Sequence, residues 1–372
     1  MTKAAELAKM GEVLTNSQIS GRRNIVINGA MQVAQRATSV TGLGDDNDEN
    51  YPTVDRFEIN GNAGAGRFTM TQEAVTDLPG FPKCIKLDCT TADTSIAATE
   101  RLFIQTKIEG QDLQGTGTGT ADAKPFTLSF YAKASASFKF VALLLNVDND
   151  RFAGSTFDVT TSWQRFVITF PADVDDGSSP FDNNNADSLH IRFFLHAGAN
   201  YTSGTLSSTF ANALAANSYD SNADSFYSST DNNFFLTGVQ FEVGSQATPF
   251  EHRSFGEELN LCRRYYYHTY GYGNTIGASF NGSYGGMVYF LGTGDHGMAP
   301  LTHQFPVEMR AAPTVTFYGH AGTANRITYW NGSEVTYGTV NKNSSQVTGM
   351  SLGSGTQVND FYSAGMVADA EL

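Results

Sequence analysis

The chain has 372 residues and 40% hydrophobic content, enough to fill the cores of two ordinary domains without disulfides or metals. Only 16% is charged, and 37 glycines with long Ser/Thr/Asn tracts stand where a helical protein would carry Lys, Glu, Ala and Leu. A formal net charge of −14 repels phosphate backbones and anionic headgroups, which argues against nucleic acid, and the run of about 18 apolar residues that a membrane span requires is missing.

The first predicted element is a helix, Thr2 to Leu14, with Ala4, Leu7, Met10 and Leu14 at helical spacing. It is too short to be stable alone, so its apolar stripe packs on its own domain, on identical chains or on a docking partner. A β-branched run, Asn24-Ile25-Val26-Ile27, then ends at the turn pair Asn28-Gly29 and predicts a strand. Further strands are predicted over Arg56 to Ile59, Arg67 to Gln72, Cys84 to Leu87, Leu102 to Ile108, Phe126 to Lys133, Phe138 to Val147, Gln164 to Phe170, Leu189 to Leu195 and Phe234 to Val243. In the fifth of these, Phe126, Leu128, Phe130 and Ala132 alternate with Thr127, Ser129, Tyr131 and Lys133, giving one buried and one wetter face. With no amphipathic helices between them, such strands predict a two-sheet sandwich.

Two stretches read as long loops, Thr41 to Asn50 and Asn200 to Asn233. The first carries Asp45, Asp46, Asp48 and Glu49, either a structural calcium site or a solvated acidic turn; the order of its acids does not match an EF-hand. A second helix is predicted from Phe255 to about Tyr267, capped by Ser254 with Glu257 completing a capping box. Strands resume over Gly286 to Leu291, Thr314 to Tyr318, Arg326 to Trp330, Glu334 to Val340, Gln346 to Leu352 and Phe361 to Val367. The expected organisation is therefore all-β: an N-terminal helix (1–20) for attachment or oligomerisation, a β-sandwich (21–253), and a linker helix with a smaller C-terminal β-sandwich domain (254–372).

The cysteines, Cys84, Cys89 and Cys262, are odd in number and lack zinc-ligand spacing, which predicts buried free thiols in a reducing compartment. Asp55, Asp295, His296 and His303 could suggest a catalytic or metal cluster, but polar residues in Gly-rich loops are commoner than ligands. Gly292 to Gly297 matches a dinucleotide fingerprint without the helix that such a site needs. No catalytic or cofactor-binding residue is assigned. The aromatic residues are more suggestive, because flat rings stack on sugar faces and also fill cores and interfaces. Tyr265, Tyr266, Tyr267, Tyr270 and Tyr272 read as core or interface, while Tyr318, Tyr329, Trp330 and Tyr337 are the candidate ligand contacts, Tyr329 and Trp330 standing before the turn pair Asn331-Gly332.

Four segments, Asn24 to Met31, Pro125 to Lys133, Ser162 to Phe166 and Gly238 to Gly244, together resemble the jelly-roll carbohydrate-binding-module superfamily. Arg22 to Ile25 through Gln35-Arg36, Val54-Asp55-Arg56-Phe57 and Thr248 to Leu259 are similar to tail-fibre-like proteins of marine and cyanobacterial phages, a resemblance that covers about residues 22 to 312. It implies a virion appendage that recognises a host-surface glycan without catalysis, usually as a trimer beside other virion proteins, made in the host cytoplasm and released by lysis. A structural decoration of capsid or tail, or a glycan-degrading enzyme, are the alternatives. Glu251, His252 and Arg253, in the linking motif, are expected to be architectural.

Overall fold

The computed structural model describes residues 3, 23–45, 48–62, 64–174, 179–278, 288–292, 298–299, 303–329, 332–336, 349–350 and 361–372. Apart from Lys3, the expected N-terminal helix lies outside them. The fold is all-β, and the chain divides into two compact units. The first comprises Met1–Gln32, Ser39–Pro52 and Phe57–Arg253; the second comprises Val33–Thr38, Thr53–Arg56 and Ser254–Leu372.

In the first unit thirteen strands run in chain order: β1 Ser39–Leu43, β2 Asp48–Asn50, β3 Glu58–Asn62, β4 Arg67–Ala74, β5 Lys83–Thr91, β6 Arg101–Glu109, β7 Phe126–Ala134, β8 Phe138–Asn146, β9 Arg151–Val159, β10 Gln164–Phe170, β11 Asp187–Ala197, β12 Ala211–Asn212 and β13 Asn233–Val243. They form one sheet of order β1-β4-β5-β13-β7-β10 and another of order β12-β9-β8-β11-β6-β3-β2, all neighbours antiparallel. The repeated crossing of the chain between sheets gives a jelly-roll sandwich. Alternation decides what meets in the middle: Phe130 of one sheet packs edge-on against Phe157 and Phe193 of the other, at 5.0 and 4.9 Å between centroids. β9 was not legible as a strand, since Gly154, Ser155 and Asp158 break its apolar pattern.

The expected strand Asn24–Ile27 is irregular chain instead. The Asn24 side chain does the bonding that a strand would: its amide donates to the Val239 carbonyl (3.1 Å) and its Oδ1 accepts from Phe241 N (3.0 Å). The Glu251 carboxylate accepts from Asn24 N (2.6 Å), and the Arg253 guanidinium donates to the carbonyls of Val26 (3.1 Å) and Asn24. The linking motif is thus a clamp on residues 24–26. Asn28 takes the left-handed conformation at φ 59°, and a Cβ on Gly29 would fall 2.0 Å from the Val239 oxygen, so the turn requires glycine.

The acidic stretch is also not a loop throughout: β1 and β2 occupy both its ends, and Asp45 pairs with Arg67 at 2.9 Å. Asp46 and Asn47 lie outside the described residues.

The second unit contains β14 Tyr266–His268, β15 Val288–Gly292, β16 Met298–Ala299, β17 His303–Gln304, β18 Thr314–Tyr318, β19 Arg326–Tyr329, β20 Glu334–Thr336, β21 Gly349–Met350 and β22 Phe361–Asp369. β22 organises them: β14 and β18 pair with its C-terminal half, β15 and β19 with its N-terminal half. Phe305, Met309, Phe317, Ile327 and Met366 fill the core. The linker helix spans only Phe255–Arg263, with Ser254 Oγ accepting from Glu257 N (3.3 Å), because Tyr266 and Tyr267, expected within it, pair with β22 instead.

Candidate functional site

The outer face of the β11/β6/β3 sheet carries the side chains that the sandwich core does not take. Along β6, Leu102 and Ile104 point inward while Arg101, Phe103, Gln105 and Lys107 point outward; along β11 the outward set includes His190, Arg192 and Phe194. Phe103 and Phe194 are register partners with ring centroids 4.6 Å apart. Both rings are buried even though they face away from the sandwich, because residues 199–223 fold over them.

This segment falls almost wholly in the stretch expected as a long loop, but it carries regular structure. It contains the short helix Ala199–Thr202 and β12, and it bonds largely to itself: Tyr219 N to the Tyr201 carbonyl (3.0 Å) and Gly204 N to the Ala216 carbonyl (2.8 Å). Tyr219 OH donates to the Asp224 carbonyl (2.6 Å). Leu206 rests on Gly154, where a Cβ would come within 2.5 Å of its methyl group, so the same glycine that hides β9 in the sequence seats the flap on the sheet.

Between flap and sheet lies a pocket of about 200 Å³. Phe103, Phe194, Leu143 and Phe152 floor it, and Tyr201 and Ser218 of the flap wall it on one side. Arg101 and Arg192 also line it, their guanidinium carbons 5.7 and 4.7 Å from the Phe103 centroid. Arg101 donates to Asn60 Oδ1 (2.9 Å) and Tyr201 OH (3.0 Å). Arg192 donates to Gln105 Oε1 (2.9 Å) and meets His190 Nδ1 at 3.2 Å.

A polar row continues across the strands. His190 Nε2 lies 2.6 Å from Asp187, and that hydrogen bond holds the Asp187 carboxyl down at about 2. The imidazole itself is pushed below its ordinary value by burial, Asp187 opposing the shift and Arg192 adding to it. With its proton on Nε2, the ring offers an Nδ1 lone pair to Arg192. At the other end Gln105 donates to Glu58 (3.0 Å), which pairs with Lys107 (2.8 Å).

The residues expected to contact ligand fall elsewhere. Tyr318 is half-buried in the second unit, edge-on to Tyr270 at 6.3 Å. Tyr329 ends β19, in register with Tyr362 of β22. Trp330 and Tyr337 lie outside the described residues, as do Asp295 and His296. Tyr318 lines a second, open cavity of about 680 Å³ with Tyr266, Arg36 and Arg310. There the cations are engaged: Arg36 stacks on Tyr266 at 3.6 Å and pairs with Asp369 and Glu371 at 3.3 Å, and Arg310 donates to the carbonyls of Ala370 and Glu371. His303 stacks on Tyr267 and Asp55 is held by Gln35, so each has its own surroundings. Cys84, Cys89 and Cys262 are buried free thiols, all raised by desolvation, Cys84 to about 12 and Cys89 to about 11. Among the described residues no three His, Cys, Asp or Glu side chains gather as metal ligands.

Arg101, Phe103, Arg192, Phe194 and Tyr201 were not singled out from the sequence. Strand alternation was the available signal, since it places Phe103 and Phe194 opposite Leu102 and Phe193, away from the core.

The chain is similar to solved structures of a phage tailspike domain, a putative sugar binding protein and carbohydrate-binding modules. The enzymatically active domain of tailspike protein 4 of bacteriophage CBA120 matches at TM-score 0.30 and 12% identity, over 59% of this chain and 21% of its own. The chain therefore spans about a fifth of that protein. A putative sugar binding protein from Bacteroides thetaiotaomicron matches at TM-score 0.33 and 12% identity, over 59% and 100%. The family 11 carbohydrate-binding module of Clostridium thermocellum, solved with a mixed-linked tetrasaccharide, matches at TM-score 0.27 and 10% identity, over 58% and 99%. No protein-family profile and no curated protein matches the chain. With likeness of this size, the fold rests on the strand order and the function on the pocket.

Proposed function

We propose that the chain is a non-catalytic glycan-recognition protein, acting as an appendage of a tailed-phage particle that contacts the host surface. The pocket on the outer sheet face supports the binding step: a concave space with a buried apolar base, edged by the half-buried Tyr201 and by Arg101 and Arg192, the mix of apolar lining and a few polar groups that small-ligand sites carry. Glycoside hydrolysis ordinarily uses two flanking carboxyl groups, whereas Asp150 is the one carboxylate among the described residues lining the pocket. The phage role is supported by the sequence resemblance of the clamp and of the arginine-bearing segments at Gln35-Arg36 and Val54 to Phe57.

Titration calorimetry of the full chain against host-surface oligosaccharides tests the binding reading. Phe103→Ala, which removes the buried base that shapes the pocket, should weaken the best ligand about tenfold or more, a loss of about 1.4 kcal/mol. Full affinity in that variant, with its melting temperature near wild type, would move the site off this face. Release of reducing ends from the same oligosaccharides would replace binding by hydrolysis. Particles lacking the protein that adsorb normally but fall apart would make it a decoration instead.

A further inference from the structure

We infer that the free edge of β10 is a self-association site, on which β10 of a second copy of the chain pairs antiparallel about a two-fold axis at Val167. A strand at the end of a sheet presents N–H and C=O groups that no neighbour takes up, and sandwiches blunt such edges with short strands, bulges, charges or proline. Among the described residues, the other sheet ends of the first unit are blunted in this way: β2 and β12 have three and two residues, and β1 slips register with β4 between Val40 and Leu43. β10 is the exception. It runs seven residues in unbroken register with β7, contains no proline and ends its sheet.

Its side chains fit a second copy of the same strand. Phe166, Ile168 and Phe170 point toward the sandwich, and Arg165, Val167 and Thr169 point away from it. Phe166 stacks on Phe130 at 5.2 Å and meets Phe157 edge-on at 5.3 Å, yet it and Ile168 are only half-buried, and Val167 is 51% exposed. Residues directly opposite in an antiparallel pair share a face, so an axis at Val167 sets Val167 against its own copy and Phe166 against Ile168 on both sides. The half-buried positions of the inner face then cover one another. An axis at Arg165 would oppose two arginines, and one at Phe166 would set Arg165 against Val167.

Charge is placed to allow the pairing. A net charge of −14 opposes self-association in general, but Val159 to Ala172 contains no carboxylate. Arg165 donates to Ser129 Oγ and to the Thr248 carbonyl. Its own copy stands opposite Thr169, about 14 Å along the strand and beyond the roughly 8 Å over which exposed charges act at physiological salt. Seven residues a side are few against the about 20–30 of a standard interface, so the dimer is weak, with a Kd on the order of 10–100 μM.

Sedimentation velocity of the full chain from about 1 to 500 μM should therefore show a monomer–dimer equilibrium. Val167→Lys and Val167→Glu each set like charges opposite one another at an exposed position, and each should weaken the dimer about tenfold or more while the melting temperature stays near wild type. An equimolar mixture of the two should restore association, because position 167 meets position 167. Val167→Cys should form a disulfide-linked dimer under mild oxidation, the native thiols being buried, and it decides the matter if a charged variant does not fold. A wild-type chain that stays monomeric, as it would if the edge served a foreign strand, overturns the pairing, and so does a trimer. A dimer that both charged variants leave unchanged, a mixture that fails to restore it, or a cysteine variant that does not cross-link overturns it as well.

Discussion

Phe126, Phe130, Phe140 and Phe193 are among the largest fully buried side chains of the first unit, whereas a fully buried arginine, Arg56, stands among those of the second. Arg56 lies 3.5 Å from the centroid of Tyr265, and Arg36 lies 3.6 Å from that of Tyr266. Both guanidinium groups end on Glu371. The first unit fills its middle with these rings, carries a row of charges on one sheet face and buries others, such as Asp173 paired with Arg151 at 2.9 Å. The second folds its charges inward, where each neutralises another. The two cavities differ accordingly: the smaller is lined by Phe103, Phe152 and Phe194 with Arg101 and Arg192 beside them, while the larger is lined by the cations Arg36 and Arg310 tied to Asp369, Glu371 and main-chain carbonyls.

The contrast breaks most visibly in paired core variants. Phe193→Ala should cost the first unit about 3–5 kcal/mol by opening a cavity against Phe130 and Phe157. Glu371→Gln should cost the second unit a similar ~3–5 kcal/mol by removing the carboxylate charge shared by two guanidinium groups in a buried site. Hydrogen exchange followed by mass spectrometry separates the two: protection should fall in β7 and β11 for the first variant and in β14 and β22 for the second. Loss of protection across both units in either variant would mean that they unfold together.

Acid sharpens the comparison. Burial raises the Asp55 carboxyl to about 6 against the pull of Arg36 and Gln35, and burial lowers the His268 imidazole to about 4. A raised carboxyl favours the folded state below its ordinary value and loses that contribution as pH rises through 6. A depressed imidazole favours it above its ordinary value and loses that contribution as pH falls through 4. Between pH 7 and 4 the two act oppositely in the second unit, each by about 3 kcal/mol. In Asp55→Asn the histidine effect stands alone, so stability should fall more steeply on acidification than in the wild type; a parallel pH profile of the melting temperature would contradict this. In the first unit His190 is depressed by burial and Asp187 by its hydrogen bond from His190, so both favour the folded state at neutral pH and lose that contribution in acid. The smallest expected effect is Ser254→Ala, which removes a helix cap worth about 1 kcal/mol and should show as a small drop in the melting temperature of the second unit.

The sandwich was legible wherever a strand has one apolar face and turn residues at its ends, as in β7, β10 and β13. Legibility failed where a side chain replaces a main-chain partner, as Asn24 does, and where glycine serves a neighbour rather than its own strand, as Gly154 does for Leu206. The Tyr265–Tyr267 run extended a helical pattern that the pairing of β14 with β22 overrides. The site was harder still. Phe103 and Phe194 are ordinary alternating strand residues until a segment distant in sequence folds over them, and no local pattern records that event. Aromatic crowding drew attention instead to the second unit, where Tyr265 and Tyr266 are cation platforms of a buried charge network.

The flap over β9 has a consequence for how the protein would meet a surface. Because residues 199–223 wall one side of the pocket, a polymer laid straight across the sheet would meet that wall, and under the binding reading proposed above a terminus or a short branch is the expected entrant. Footholds on a polysaccharide coat would then be counted by its ends, so trimming that coat into shorter pieces would multiply them.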